Sequence, residues 1–284
     1  MAYNFITAKE AAEMINNGDT IGLSGFTAPG VPKSILEEVA HKAAAEHEQG
    51  REFKVNIFTG ASTSDHVDGI LARNNAINMR APYQNTPDLR KRINAHDAHY
   101  FDRHLSEMAQ ETRYGFYGDI DVAVIEAAAI SEDGEVLLGC GLGNIPTYAP
   151  KAKHIFIELN EALPQSLLGM HDIYLPADPP YRREIPIYSP SDRAGRPTLK
   201  IDPSKVRGIV RTNMLDGVKP FTKPDAISEK IGANVVQFLI SEYRKGRIPK
   251  EFLPLQSGVG NVANAVLHYL CMYTELPNFM MYTE

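Results

Sequence analysis

Asp121-Val122-Ala123-Val124-Ile125-Glu126 sets four apolar residues at successive positions, the pattern of a strand covered on both faces. Working outward, further β-rich runs occur at Thr20 to Ser24, Phe53 to Phe58, His154 to Glu158 and Arg207 to Val210, and longer helix-like stretches separate them. Short buried strands alternating with helical segments predict an α/β fold, a mostly parallel sheet flanked by helices. A composition of 43% hydrophobic and 23% charged residues in 284 positions argues against a disordered or fibrous chain and allows one large domain or two ordinary ones.

Between Pro176 and Pro203 the regular alternation stops. Pro176, Pro179, Pro180, Pro186, Pro190, Pro197 and Pro203 interrupt any long element, because proline removes a backbone donor and fixes φ. A meandering arm or covering loop is expected there. Beyond it, a helix is expected from near Pro224 to about Arg244, with Ile227, Ile231, Val235, Phe238 and Leu239 on one stripe and Gly246 placed to end it. These features put a domain boundary close to Pro220, dividing the chain into residues 1–219 and 220–284. The second part is too short for a domain of its own and is read as an appendage or as the opening of a second, similar domain.

The formal net charge of -6, with no longer basic run than Arg90-Lys91-Arg92, argues against a nucleic-acid partner. Cys140 and Cys271 lie far apart without a C-x-x-C pattern, which fits a reducing compartment, so a cytoplasmic location is expected. Met1 to Ile15 lacks the basic start and apolar block of a signal peptide, and no apolar run is long enough for a membrane span.

Three glycine-bearing stretches invite a chemical reading. Gly25-Phe-Thr-Ala-Pro-Gly30-Val-Pro-Lys33 follows a strand and opens a helix whose first turn is expected to contain Pro32. Such a turn exposes N–H groups to an anion at the carboxyl end of a sheet, though an ordinary βα turn uses the same residues. Thr59-Gly60-Ala61-Ser62-Thr63 also follows a strand, and its small residues admit a ligand close to the backbone. Ser64 rather than glycine follows Thr63, so the G-x-S-x-G nucleophile elbow is absent and Ser62 reads as a carboxylate-binding hydroxyl or a helix cap. Gly139-Cys-Gly141-Leu-Gly143-Asn144 has asparagine at the place of the third glycine of a dinucleotide loop, which rejects a nicotinamide cofactor. His96, His99 and His104 do not have metal-ligand spacing, so no metal is expected.

The stretch Leu255-Gln-Ser-Gly258-Val259-Gly260-Asn261-Val262-Ala263-Asn264-Ala265-Val266, leading to Tyr282-Thr283-Glu284, carries the most information. Its glycines leave the backbone open to a ligand ahead of a helix start.

Together with Ser24-Gly-Phe-Thr27, Pro32-Lys33, Thr59 to Thr63, Arg90 to Asn94, Tyr100-Phe101-Asp102, His171-Asp172-Ile173 and Ile209-Val-Arg-Thr-Asn213, this stretch resembles the class I CoA transferases of the acetyl-CoA hydrolase/transferase family, which contains succinyl-CoA:acetate CoA-transferases. The resemblance implies a CoA-transferase α/β fold, acyl-CoA and small carboxylic acids as substrates, coenzyme A as co-substrate with no other cofactor, and a homodimer. It also implies a C-terminal domain, needed for activity, beyond the residues present. It makes Glu284 the catalytic carboxylate, in preference to Glu275. Gly258, Val259, Gly260, Asn261 and Val262 become coenzyme A contacts, and Ser62 and Asn85 contacts to the acid's carboxylate. Two positions depart from the family pattern: Gly217 stands where a substrate-contacting arginine is expected, and Asn85 where a threonine is expected. Thioester hydrolysis on the same glutamate, and a non-catalytic coenzyme A-binding half of a split protein, are the alternative readings.

Overall fold

The computed structural model describes residues 3–218, 223–249, 251–252, 255–258 and 260–273. Two compact units divide the chain, one formed by Met1–Arg183 with Ala194–Val218, the other by Glu184–Arg193 with Lys219–Glu284.

In the first unit the strands are β1 (Thr20–Leu23), β2 (Val55–Phe58), β3 (Ile77–Ala81), β4 (His99–Tyr100), β5 (Ile120–Ile130), β6 (Glu135–Leu138), β7 (Ala152–Asn160), β8 (Leu199–Lys200) and β9 (Val206–Thr212). The helices are α1 (Ala8–Glu13), α2 (Ser34–Glu48), α3 (Ile70–Arg73), α4 (Pro87–Asn94), α5 (Leu105–Arg113) and α6 (Ile145–Lys151), with a π-helical turn at Asp65–Gly69 leading into α3. The parallel strands run in the order β4-β3-β2-β1-β5-β7-β9. The chain therefore builds outward from β1 to β4, then returns to the other side of β1 through β5. That reversal between β1 and β5 is the topological switch point, where the carboxyl ends of open α/β sheets form a crevice. β5 outruns β1, and its second half pairs with antiparallel β6, which β8 extends.

The run that predicted a doubly covered strand does what its apolarity requires. Val122 and Val124 join one core with α1 and α2, while Ala123 and Ile125 join another with α5 and α6, and all four are at most 1% exposed. This alternation fixes the side of the next residue: Glu126 falls on the α2 face, level in register with Glu158 on β7. The expected strands are found at β1, β2, β5, β7 and β9. The proline-rich segment has no long element between β7 and β8, as its composition dictates.

Two local readings change. Helix α2 begins at Ser34 with Lys33 as its cap, so Pro32 precedes the first turn instead of lying in it, and Lys33 offers no side-chain cap. Glu158 supplies it instead, accepting from the N–H groups of Lys33 at 2.8 Å and Ile35 at 2.6 Å. In the second unit α7 (Ala226–Arg244) is present with Gly246 at positive φ just beyond it, but its buried residues are Ser228, Gly232, Val236 and Ile240. Ile227, Ile231, Val235 and Phe238 are exposed, while Leu239 is half-buried against Val236 and Ile240. The small residues explain the choice of face: a Cβ on Gly232 would lie 2.8 Å from the Ala265 carbonyl carbon of α8 (Asn261–Leu270), so backbones approach there and the bulky stripe turns away.

Candidate active site at the carboxyl edge

Three loops close the carboxyl edge beside the switch point: residues 25–33 after β1, residues 59–64 after β2 and residues 139–144 after β6. Backbone hydrogen bonds tie them, Thr27 N–H to Ala61 O at 3.1 Å, Thr63 N–H to Thr27 O at 3.1 Å and Gly25 N–H to Leu142 O at 3.3 Å. Glycine makes this approach possible. A Cβ on Gly141 would sit 2.1 Å from Pro29 O and 2.5 Å from Phe26 N, and one on Gly143 would sit 2.3 Å from Gly25 O. The 139–144 stretch, which failed as a dinucleotide loop, is thus a backbone-to-backbone joint. Because the obstructing atoms are main chain and cannot swing aside, Gly141→Ala is expected to destabilise the protein by about 1–3 kcal/mol in chemical denaturation, the range of an overpacked site. Gly217→Ala is the control, since its Cβ would meet nothing nearer than His66 Cδ2 at 4.0 Å.

Beneath the loops lies a cluster that motif reading missed. Lys33, 1% exposed, ion-pairs with Glu126 and with Asp216 at 2.9 Å, and donates to Val31 O at 3.1 Å. Asn160 donates to Glu126 Oε1 at 2.9 Å and to Met214 O at 2.7 Å, so the segment carrying Asp216 is held by the same group of side chains. Burial pushes Glu126 up to about 7, against the pull of Lys33 and with a contribution from Asp216. Burial also lowers Lys33, but the Glu126 and Asp216 carboxylates more than offset it and leave the ammonium above its ordinary value. Burial raises Glu158 likewise, opposed by the N–H groups it caps. The available signal was a charged residue ending an apolar strand run, as in Val122 to Glu126 and Ile155 to Glu158.

A second buried pair supports the loop after β2. Arg80 of β3 and Asp68 are both fully buried at 2.7 Å, and Arg80 also donates to Thr59 Oγ1 at 3.0 Å, Ala81 O at 2.6 Å and Ser62 O at 2.7 Å. Burial raises Asp68, with Arg80 opposing.

The residues named for the acid lie on this edge. Ser62 is fully buried, its hydroxyl donating to Gly25 O at 2.5 Å and Ser24 O at 3.3 Å. Asn85 is exposed on the loop between β3 and α4. In the second unit, Gly258 is exposed and Gly260 adopts φ 142 as the cap of α8, and no atom of the described residues lies within 4 Å of where a Cβ on either would stand. Asn261 and Val262 form the exposed first turn of that helix. Val259, Glu275 and Glu284 fall outside the described residues. No group of three or more His, Cys, Asp or Glu among the described residues has the arrangement of a metal site, and no described helix is long and apolar enough to cross a membrane.

A mostly parallel sheet with glycine-jointed loops over a buried charge cluster at its switch point is an α/β architecture of the kind whose carboxyl edge forms a crevice. The sequence pattern of the acetyl-CoA hydrolase/transferase N-terminal domain matches residues 2–215, and the chain belongs to that family. It is 44% identical over 279 residues to the propanoyl-CoA:succinate CoA transferase of Escherichia coli, covering 98% of this chain and 57% of the relative. It is 38% identical over 272 residues to the acetyl-CoA hydrolase of Saccharomyces cerevisiae, covering 92% of this chain and 51% of that protein. The chain thus spans about half the length of these relatives. In fold it is similar to the 4-hydroxybutyrate CoA-transferase of Porphyromonas gingivalis, with a TM-score of 0.52 at 17% identity, covering 94% of this chain and 51% of the other.

Proposed function

We propose that the polypeptide moves coenzyme A between a short-chain acyl-CoA and a small carboxylic acid of the acetate, propionate or succinate type, through a thioester on Glu284. The observation that carries this reading is the 44% identity, over 98% of the chain, to a relative named as a CoA transferase. In the proposed sequence the Glu284 carboxylate attacks the acyl carbonyl, the C–S bond breaks, and a mixed anhydride forms as coenzyme A leaves as thiolate. The thiolate then attacks the glutamyl carbonyl, releasing the acyl group as a carboxylate and leaving glutamyl-CoA. A second acid regenerates Glu284 by the reverse steps. Each tetrahedral intermediate needs donors aimed at its oxyanion.

Gly258, Val259, Gly260, Asn261 and Val262 are assigned to coenzyme A, Ser62 and Asn85 to the acid's carboxylate. Since the Ser62 proton is spent on Gly25 O, recognition there requires the hydroxyl to turn toward the ligand. Coenzyme A serves as co-substrate, with no metal or other cofactor. Assembly as a homodimer and dependence on a C-terminal domain belong to the same proposal, as does a cytoplasmic location.

The yeast relative named as an acetyl-CoA hydrolase favours a second reading, in which water replaces the accepting acid. Intact mass before and after exposure to acetyl-CoA, with peptide mapping around Glu284, tests the covalent step. A coenzyme A adduct on Glu284 that disappears in Glu284→Gln, together with all turnover, is the expected result; turnover persisting in that variant overturns the assignment. Product analysis with and without acetate separates transfer from hydrolysis.

A further inference from the structure

Among the described residues, the buried side-chain oxygens without a hydrogen-bond partner are Ser64 Oγ, Gln84 Oε1, Thr86 Oγ1 and Glu126 Oε2. Glu126 alone of these is ionisable, and it is fully buried. Its Oε1 is taken by Lys33 and Asn160, while Oε2 faces the glycine-walled joint, 3.5 Å from where a Cβ on Gly139 would stand. The charges around it do not balance. Lys33 brings one ammonium to two carboxylates, Glu126 and Asp216. Glu158, level with Glu126 on β7, spends its oxygens on the start of α2 and contributes no cation. Cys140, on the neighbouring loop, contributes none either: burial, then Asp216 and Glu126, hold its thiol above the usual range. His171 is directed at Gly139 O, at 2.6 Å. A surplus negative charge inside a protein is relieved by taking up a proton. Asp216 is 14% exposed, so water reaches it, whereas Glu126 is fully buried and its Oε2 meets no donor among the described residues. Oε2 is where the proton belongs.

We propose that Glu126 holds an exchangeable proton on Oε2 and that carboxylate binding at the carboxyl edge draws that proton in, so that Glu126 makes acid binding proton-linked. The inference rests on small carboxylic acids being ligands of this edge. Ser24 connects the two places: its carbonyl accepts from Ser62 at 3.3 Å and its hydroxyl accepts from the Glu126 N–H at 2.9 Å. A carboxylate arriving over Ser62 adds a further negative charge near Glu126 where the dielectric is low. An O–H bond then forms at Oε2 with a proton from bulk water, and Lys33 remains paired with Asp216. The value of about 7 for Glu126 places this exchange in the neutral range. By linkage, a ligand that raises a group's proton affinity binds tightest where the group is already protonated. Affinity for the carboxylate is therefore highest on the acid side and falls as pH rises through neutrality.

The test is a pH titration of the polypeptide carrying carboxyl-labelled glutamate, followed by carbon NMR, with and without acetate. The expected result is one glutamate titrating near pH 7 that is missing in Glu126→Gln. Its midpoint should fall by about one pH unit in Asp216→Asn and rise with saturating acetate. Acetate affinity should drop several-fold from pH 6 to pH 8 in the parent and stay flat in Glu126→Gln. If no near-neutral signal is lost in Glu126→Gln and none moves in Asp216→Asn, the proton assignment is wrong. Acetate binding that leaves the midpoint unmoved overturns the coupling alone. A near-neutral titration with no acetate binding at any pH overturns the substrate reading, and the coupling with it.

Discussion

Arg80→Met is expected to cost about 3–5 kcal/mol of stability at pH 8, because removing one partner of a buried ion pair strands the other. Arg80 and Asp68 are both fully shielded, and the guanidinium also occupies Thr59 Oγ1, Ala81 O and Ser62 O. Methionine fills much of the volume but returns none of those donors. The loss has a predictable pH dependence. Burial already raises Asp68 and Arg80 opposes it, so without Arg80 the folded-state value climbs further above that of the unfolded chain. A carboxyl whose folded pKa is raised binds more protons when folded, so its stability contribution is retained at low pH and lost as pH rises through the folded value. The deficit of the variant should thus shrink on moving from pH 8 to pH 5. The double variant Arg80→Met/Asp68→Leu should lose less than Arg80→Met alone. Urea denaturation at the two pH values decides it: a loss under about 1 kcal/mol, or one that ignores pH, would mean that the pair does not hold the Thr59–Ser64 loop.

The residues involved show where sequence reading succeeds. β1, β2, β5, β7 and β9 were legible because a strand covered on both faces must be apolar almost throughout. β3 was not, since Ile77-Asn78-Met79-Arg80-Ala81 carries a buried arginine that reads as surface until Asp68 is seen beside it. β4 and β8 have two residues each, too few for any periodicity. The loops at the carboxyl edge were legible as glycine-bearing turns after strands, but their purpose was not. Gly141 and Gly143 answer to Pro29 and Gly25, and spacing along one segment cannot report on contacts with another. The same limit hid the charge cluster, whose central pair lies 93 positions apart. On α7 four of the five residues of the expected apolar stripe face outward and Leu239 alone of them packs inward, because close approach to Ala265 at Gly232 outweighs the size of the side chains.

Lys33→Met is the second large effect, and it isolates the charge of Lys33 from its place in the chain. The backbone N–H of Lys33 keeps its bond to Glu158, so the start of α2 survives the substitution. What disappears is, among the described residues, the one cation in the ion pairs of the cluster, leaving Glu126 facing Asp216 with Asn160 as its remaining described side-chain donor. Burial already pushes Glu126 up to about 7 with Lys33 in place, so removal of that ammonium drives the folded-state value higher still. Glu126 then enters the folded protein protonated at neutral pH, and ionised only at increasing cost. The expected loss is about 3–5 kcal/mol at pH 8, easing as pH falls through neutrality because the folded state takes up the proton that the unfolded state does not need. Lys33→Met/Glu126→Gln should recover most of the loss at pH 8 and flatten the pH dependence, since one carboxylate with 14% exposure can be solvated where two could not. Equilibrium denaturation of the single and double variants from pH 5.5 to pH 8.5 measures both features. A double variant no more stable than Lys33→Met would place the role of Lys33 in packing rather than in charge.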